Sequence, residues 1–219
     1  FVLLLVVGAG AVGFADDWIK ITRARNLGLN KRMKVLGLLT VAIGFGVACV
    51  QFTGQHTTLS FTRYSSFETS SLLDIDFGQV GWVVWSVLLI MACTNGVNLT
   101  DGLDGLAAGS SLFAFAAFTI IGFWAFRNPE IYGVEHALDL AVVAAAMLGG
   151  CTGFLWWNAH PARIFMGDTG SLAIGAGLAG LALTLNTALL LPIVGALFVV
   201  ETLSVIIQVF SFRTFGRRV

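Results

Sequence analysis

Asn95-Gly-Val-Asn98-Leu-Thr-Asp101-Gly-Leu-Asp104-Gly-Leu-Ala-Ala-Gly109 decides how this chain is read. It is polar, it lies between two long apolar runs, and its carboxylates and amides alternate with glycines. Glycine lets the backbone turn with φ > 0 or approach a ligand closely. Asn and Asp supply oxygen ligands for a hard cation or partners for sugar hydroxyls. The plain structural reading is a tight turn between helices whose Asn and Asp side chains cap the next one. What tips the balance toward chemistry is the rest of the chain.

Working outward, the flanks are apolar. Of 219 residues, 57% are hydrophobic and 11% are charged, and the mean hydropathy is +0.89. A soluble domain carries roughly 25% charged residues, so the chain reads as an all-α integral membrane protein, a polytopic helical bundle forming one transmembrane domain over 1–219. A spanning helix needs about 20 mainly apolar residues, and lipid offers no partner for unpaired backbone groups. Candidate spans are 1–15 (the end of a helix), 35–52, 79–94, 106–126, 138–157, a shorter Gly/Ala-rich 172–185, and 189–210. That is about seven. In 172–185, Ala173 and Gly177, then Ala176 and Gly180, stand four apart, a spacing that lets helices pack closely.

Ten of the twelve basic residues, among them Lys20, Arg23, Arg25, Lys34, Arg217 and Arg218, fall in 16–34, 95–105, 158–171 and the tail from 211; Arg63 and Arg127 fall on the other side. The positive-inside rule places the first set in the cytoplasm. In the outer loop 53–78, the alternation Thr58-Leu-Ser-Phe-Thr-Arg-Tyr64 predicts a small hairpin, with a structureless loop as the other reading. Cys49, Cys93 and Cys151 are isolated in apolar runs and read as buried hydrophobes, not as a disulfide or zinc framework. Glu201 sits inside the last span after Pro192. A carboxylate there faces protein or a wet cavity: it is either protonated and bonded to a neighbouring helix, or it lines a substrate groove.

Two more acidic clusters share the cytoplasmic side. Asp16-Asp17-Trp-Ile-Lys20 follows the first span; adjacent carboxylates repel, which favours a proton acceptor, and Lys20 lies one helical turn on. Asn158-Ala-His-Pro-Ala-Arg163-Ile-Phe165-Met-Gly167-Asp168-Thr-Gly170-Ser171 brackets one carboxylate with flexible backbone at a helix start. Asp168 can bring Mg²⁺ to phosphates, and Phe165 can stack on a planar base; a helix cap and a core aromatic are the structural alternatives. Five carboxylates (Asp16, Asp17, Asp101, Asp104 and Asp168) on three loops repel one another unless a cation is present, and the basic loop 20–34 suits a polyanionic substrate. Together they point to magnesium-dependent phosphoryl transfer between a soluble phosphorylated donor and a membrane-embedded acceptor. A transporter is the reading of a different class, but transporters place their sites near the midplane between repeats, and these acidic residues lie in the loops.

Asp16-Asp-x-x-Lys20, Asn98-Leu-Thr-Asp-Gly-Leu-Asp-Gly-Leu-Ala107, Asn158-Ala-x-Pro-Ala-Arg-x-Phe-Met-Gly-Asp-Thr-Gly-Ser171 and Val200-Glu-Thr-Leu-Ser-Val-Ile-Ile-Gln-Val209 resemble, in this order, the polyprenyl-phosphate N-acetylhexosamine-1-phosphate transferase family. The resemblance implies a bacterial plasma-membrane enzyme of peptidoglycan biosynthesis with its active site on the cytoplasmic face. Its donor would be UDP-MurNAc-pentapeptide, its acceptor undecaprenyl phosphate, its products lipid I and UMP, and its cofactor Mg²⁺. A UDP-GlcNAc-using sibling is the alternative; such enzymes usually have an acidic residue where Lys20 stands. The resemblance further implies that Asp168, with Asn98, ligates the metal, that Asp16, Asp17, Asp104 and Asp168 are catalytic, and that Lys20, Asn98, Asp101, Asn158 and Phe165 bind substrate. Asp16 or Asp17 would activate the lipid phosphate, and Phe165 would contact uracil. The bilayer and a second copy of the chain are the expected partners, and nothing points to nucleic acid. Family members have about ten spans and a His-rich cytoplasmic loop expected just after 213–218, so the chain reads as a fragment lacking both ends, inactive alone.

Overall fold

The computed structural model describes residues 1–23, 28–59 and 75–216. Its helices are α1 (Val2–Thr22), α2 (Lys31–Phe52), α3 (Gly78–Thr100), α4 (Leu106–Arg127), the one-turn α5 (Pro129–Tyr132), α6 (Ala137–Asn158), α7 (Gly167–Thr184), the one-turn α8 (Leu191–Val194) and α9 (Ala196–Phe215). Six of them, α1, α2, α3, α4, α6 and α9, are long and apolar enough to cross a membrane, each reaching about 30 Å at 1.5 Å per residue. The chain is a multi-pass, all-α membrane protein.

The expected span 172–185, which falls in α7, has a different place. Twelve of its 18 residues are buried, whereas α9 buries only Phe198 and Ser211. Thus α7 is walled by protein, with α1 and α3 packed along it and α4 and α6 touching it. Its small residues permit this. A methyl at Gly175 would sit 2.5 Å from the Cys93 carbonyl oxygen on α3, and one at Gly180 would sit 3.0 Å from Leu5 on α1. The spacing pattern in the sequence finds Gly177 and Gly180, but the tightest approach to α3 is at Gly175. On α1, a Cβ at Gly13 would collide with the Asp168 carbonyl, so that helix lies directly on the first turn of α7. A second pair, α4 and α6, closes at Gly122, where a Cβ would stand 3.0 Å from that of Ala141.

Several helices run further than hydropathy predicts, α1 and α3 most clearly. Residues 16–22, expected in a loop, continue α1, and 95–100 continue α3. Hydropathy marks where contact with lipid ends. The backbone stays helical beyond that point because the polar side chains there find partners: Lys20 pairs with Asp16 one turn back, and Asn95 Nδ2 donates to the Met91 carbonyl. The expected span 189–210 is instead divided into α8 and α9 at Gly195, whose N–H closes on the Leu191 carbonyl at 2.7 Å. Pro192, at the start of α8, is the sequence signal for that interruption.

The expected hairpin exists as two short strands, β1 (Thr58–Leu59) and β2 (Ile75–Asp76), antiparallel with Thr58 opposite Asp76. Its remaining positions, 60–64, lie outside the described residues, as do Arg25, Arg63, Arg217 and Arg218 of the charge asymmetry. At the same end of the bundle, Gln55 Nε2 donates to the Leu183 carbonyl and to Asn186 Oδ1, holding the exit of α7. At the other end α1, α3 and α6 finish and α2, α4 and α7 begin. The acidic clusters are there.

Candidate active site

The first turn of α7 is the centre of the polar end. Asn98 Nδ2, from the last turns of α3, donates to Asp168 Oδ1 at 2.6 Å and to Ser171 Oγ at 2.8 Å. Ser171 is fully buried and in turn donates to the Gly167 carbonyl. Two ammonium groups reach Asp168 Oδ2: Lys20 Nζ at 2.7 Å from α1 and Lys34 Nζ at 2.9 Å from α2. Burial opposes the charge on Asp168. The ammonium groups of Lys20 and Lys34 and the Asn98 amide outweigh that and hold the carboxyl below the usual carboxylate range.

The adjacent pair is split in function by geometry. Asp16 is buried, accepts from the Leu29 backbone N–H at 2.6 Å and pairs with Lys20 at 2.5 Å. Asp17 turns the other way, onto α7. Its Oδ2 accepts from the Thr169 N–H at 2.9 Å and the Thr169 hydroxyl at 2.7 Å, and its Oδ1 from the Asp168 N–H at 3.3 Å. The cap of α7 therefore comes from another helix. Neither Asp168 nor Met166, the residue before the helix, supplies a side-chain cap, which corrects the capping alternative for Asp168.

Oxygens of Asp16, Asp17 and Asp168 lie within 4.8 Å of one another. Three carboxylates with hard oxygen donors can hold a divalent cation. Asn98 fits the same purpose: its nitrogen is spent on Asp168 and Ser171, and its Oδ1 makes no hydrogen bond among the described residues.

The five carboxylates do not form one cluster. Asp101, just past α3, is close enough to feel Asp168 and Asp17: burial, then those two charges, push its carboxyl up to about 6. Asp104 stands apart. It accepts from the Ala162 N–H at 3.1 Å and lies 3.2 Å from His160 Nδ1, tying the α3–α4 turn to the segment before α7. Asn158 does similar work from α6: its Oδ1 accepts from the Gly105 N–H and its Nδ2 donates to the Ile164 carbonyl. Both of its polar ends are thus used by backbone. Phe165 is 77% exposed, a ring offered to solvent and not a core aromatic. Glu201 lies half-buried on α9 with no hydrogen bond or ion pair among the described residues. The apolar groove of about 220 Å³ beside it is lined by Thr202 and Phe198, not by Glu201.

Sequence reasoning missed Lys34 as a partner of Asp168, Thr169 as a partner of Asp17 and Ser171 as a partner of Asn98. Lys34 is visible in sequence only as one charge of a basic loop. Ser171 carries a faint signal, one helical turn after Asp168.

A helical bundle that gathers three carboxylates, two lysines and an asparagine around one helix start defines a multi-pass membrane protein with a charge-compensated polar site at one end. The chain belongs to glycosyl transferase family 4, whose model matches residues 1–186. It is 51% identical to the phospho-N-acetylmuramoyl-pentapeptide-transferase of Corynebacterium kroppenstedtii, over 99% of this chain and 63% of that protein. It is 52% identical to the proteins of that name from Streptomyces coelicolor (all of this chain, 62% of the relative) and Thermobifida fusca (all of this chain, 64% of the relative). The chain thus spans a little under two thirds of the length of these curated relatives.

Proposed function

We propose that the full-length protein transfers phospho-MurNAc-pentapeptide from UDP-MurNAc-pentapeptide to undecaprenyl phosphate, giving lipid I and UMP, on the cytoplasmic face of the bacterial plasma membrane. The observation that carries this reading is the seat of Asp168, held at the start of α7 between Asn98, Lys20 and Lys34. Oxygen ligands for a hard cation and two ammonium groups for phosphate oxygens meet there at the polar end of an apolar bundle. The relatives named above support the muramoyl-pentapeptide donor over UDP-GlcNAc.

In the reaction, an oxygen of the acceptor phosphate forms a bond to the β-phosphorus of the donor. The bond from that phosphorus to the bridging oxygen breaks, and UMP leaves with the electron pair. Stabilising the charge that builds on the leaving group is the dominant need in such transfers. Mg²⁺, held by Asp168 with Asn98 Oδ1, would supply that neutralisation when bound. Lys20 and Lys34 are placed to take over phosphate oxygens as the donor enters. The acceptor phosphate is already largely ionised at neutral pH, so neither Asp16 nor Asp17 has a proton it must remove. Phe165 is exposed for stacking on uracil, with Asp104 and Asn158 shaping the neighbouring backbone and Asp101 beside Asp168 and Asp17.

UMP release from UDP-MurNAc-pentapeptide by the full-length protein, followed across a Mg²⁺ titration, tests the reading. Asp168→Asn is expected to abolish turnover, with raised Mg²⁺ restoring little. Substantial turnover by Asp168→Asn at ordinary Mg²⁺ would remove Asp168 from the metal site.

A further inference from the structure

We propose that Asp17 and Thr169 act as a positioning pair, fixing Asp168 by capping α7 from outside that helix, and that this, not proton transfer, is what Asp17 contributes. For the task Asp168 performs, the inference rests on the function proposed above. The geometry comes from the contacts of one carboxylate. Asp17 takes the Asp168 N–H, the Thr169 N–H and the Thr169 hydroxyl, all at the first turn of α7. The first four N–H groups of a helix have no partner within it, and α7 lacks a side-chain cap of its own. A carboxylate there is favoured by the helix dipole as well.

The backbone on both sides is shaped for this contact. Gly167 has φ of 64°, and a Cβ there would stand 2.7 Å from Asp17 Oδ2. A Cβ at Gly13, one turn before Asp17, would collide with the Asp168 carbonyl. Helix α1 is therefore seated on the turn that carries Asp168, with the Asp17 carboxylate fixing its rotation. Three α7 donors and Lys20 Nζ, 3.5 Å from Oδ1, take up most of the acceptor capacity of the Asp17 carboxylate, which directs its lone pairs chiefly at α7.

Thr169 is the informative residue, because a proton-accepting Asp17 would not need its hydroxyl. Thr169→Val keeps the shape and the N–H and removes only that donor; Thr169→Ser retains it. In the full-length enzyme, Thr169→Val is expected to lower kcat by about tenfold to a hundredfold, the scale of a small misplacement of a reacting group. KM for the acceptor should be unchanged, and Thr169→Ser should restore kcat to within about threefold. Asp17→Asn combined with Thr169→Val should be no worse than Asp17→Asn alone, since both break one unit. A Thr169→Val enzyme with wild-type kcat, or a fully additive double variant, would overturn the proposal, as would a lowered melting temperature with kcat intact.

Two measurements without substrate separate this from the functional reading. Amide hydrogen exchange at residues 168–170 should accelerate in Asp17→Asn and Thr169→Val, and affinity for Mn²⁺, used as the probe ion, should fall several-fold in both. If the wild type releases no UMP from the donor, the proposed reaction is wrong, and these two measurements still decide the positioning pair. Unchanged exchange or unchanged Mn²⁺ affinity would overturn it.

Discussion

Lys20 Nζ lies 2.7 Å from Asp168 Oδ2, an ion pair between residues 148 apart in sequence. The same ammonium pairs with Asp16 and reaches toward Asp17. One cation from α1 thus links all three carboxylates of the site.

Removing it has a signed consequence. The carboxyl of Asp168 is held below the usual range, so its contribution to stability is present above the unfolded value, near pH 4, and is lost as pH falls through the lower native value. In Lys20→Met, Asp168 keeps Lys34 but loses its second cation, and its native value rises. Thermal unfolding should show Lys20→Met less stable than wild type at pH 7, with the difference closing below about pH 4. An equal difference at pH 7 and pH 3 would mean that Lys20 acts through packing.

Asp101 has the opposite sign. Its carboxyl is pushed up to about 6, so it favours the native state below the unfolded value and that benefit is lost as pH rises through about 6. Asp101→Asn should therefore melt above wild type at pH 8 and match it near pH 4. Added Mg²⁺, by offsetting the facing charges of Asp168 and Asp17, should shrink the gap at pH 8. A variant less stable than wild type at pH 8 would contradict this account.

Gly175→Ala should cost about 1–3 kcal/mol, the range for overpacking, because the added methyl meets the α3 backbone and not a movable side chain. Gly153→Ala on α6, with nothing within 4 Å of its Cβ, should be neutral or stabilising by up to about 1 kcal/mol through helix propensity. Unfolding titrations in mixed detergent compare the two directly.

Phe165→Ala should leave stability within about 0.5 kcal/mol, as for an exposed residue, while raising KM for the proposed donor, UDP-MurNAc-pentapeptide, several-fold. Asn158→Ala should lose about 1–3 kcal/mol, because the Gly105 N–H and the Ile164 carbonyl are stranded together. Steady-state kinetics beside melting curves separate the two. A Phe165→Ala enzyme with unchanged donor KM would take the ring out of the donor site.

Topology is checked with single cysteines in a Cys-free full-length background, probed by a membrane-impermeant thiol reagent in intact cells. A cysteine at Gln55 should label and one at Asp101 should not. The reverse pattern would invert the arrangement.

Much of the site is legible in sequence, because Asp16, Asp17, Asn98 and Asp168 interrupt apolar runs where a polar residue needs a reason. The helix ends are less legible: Asp16 and Asn98 look like loop residues, since hydropathy reports lipid and not backbone geometry. Pairings across the bundle are not legible at all. Nothing local to Lys34 says that it meets Asp168, and nothing local to Asp17 says that it caps a helix 151 residues away. Asp104 and Asn158 show the converse. Both hold backbone segments together, a job that their residue types do not announce.

Helix α7 meets almost no lipid, and this changes what constrains its sequence. The surrounding spans must match the thickness and oiliness of a bilayer and tolerate exchange among Leu, Ile, Val and Phe. For α7 the limiting quantity is volume. Ser171 and Thr184 sit in it with their hydroxyls bonded back to the helix, while Gly175 leaves no room for a methyl. Substitution along α7 should therefore follow side-chain size first, with a polar group accepted where, as at Ser171 and Thr184, it bonds back to the helix.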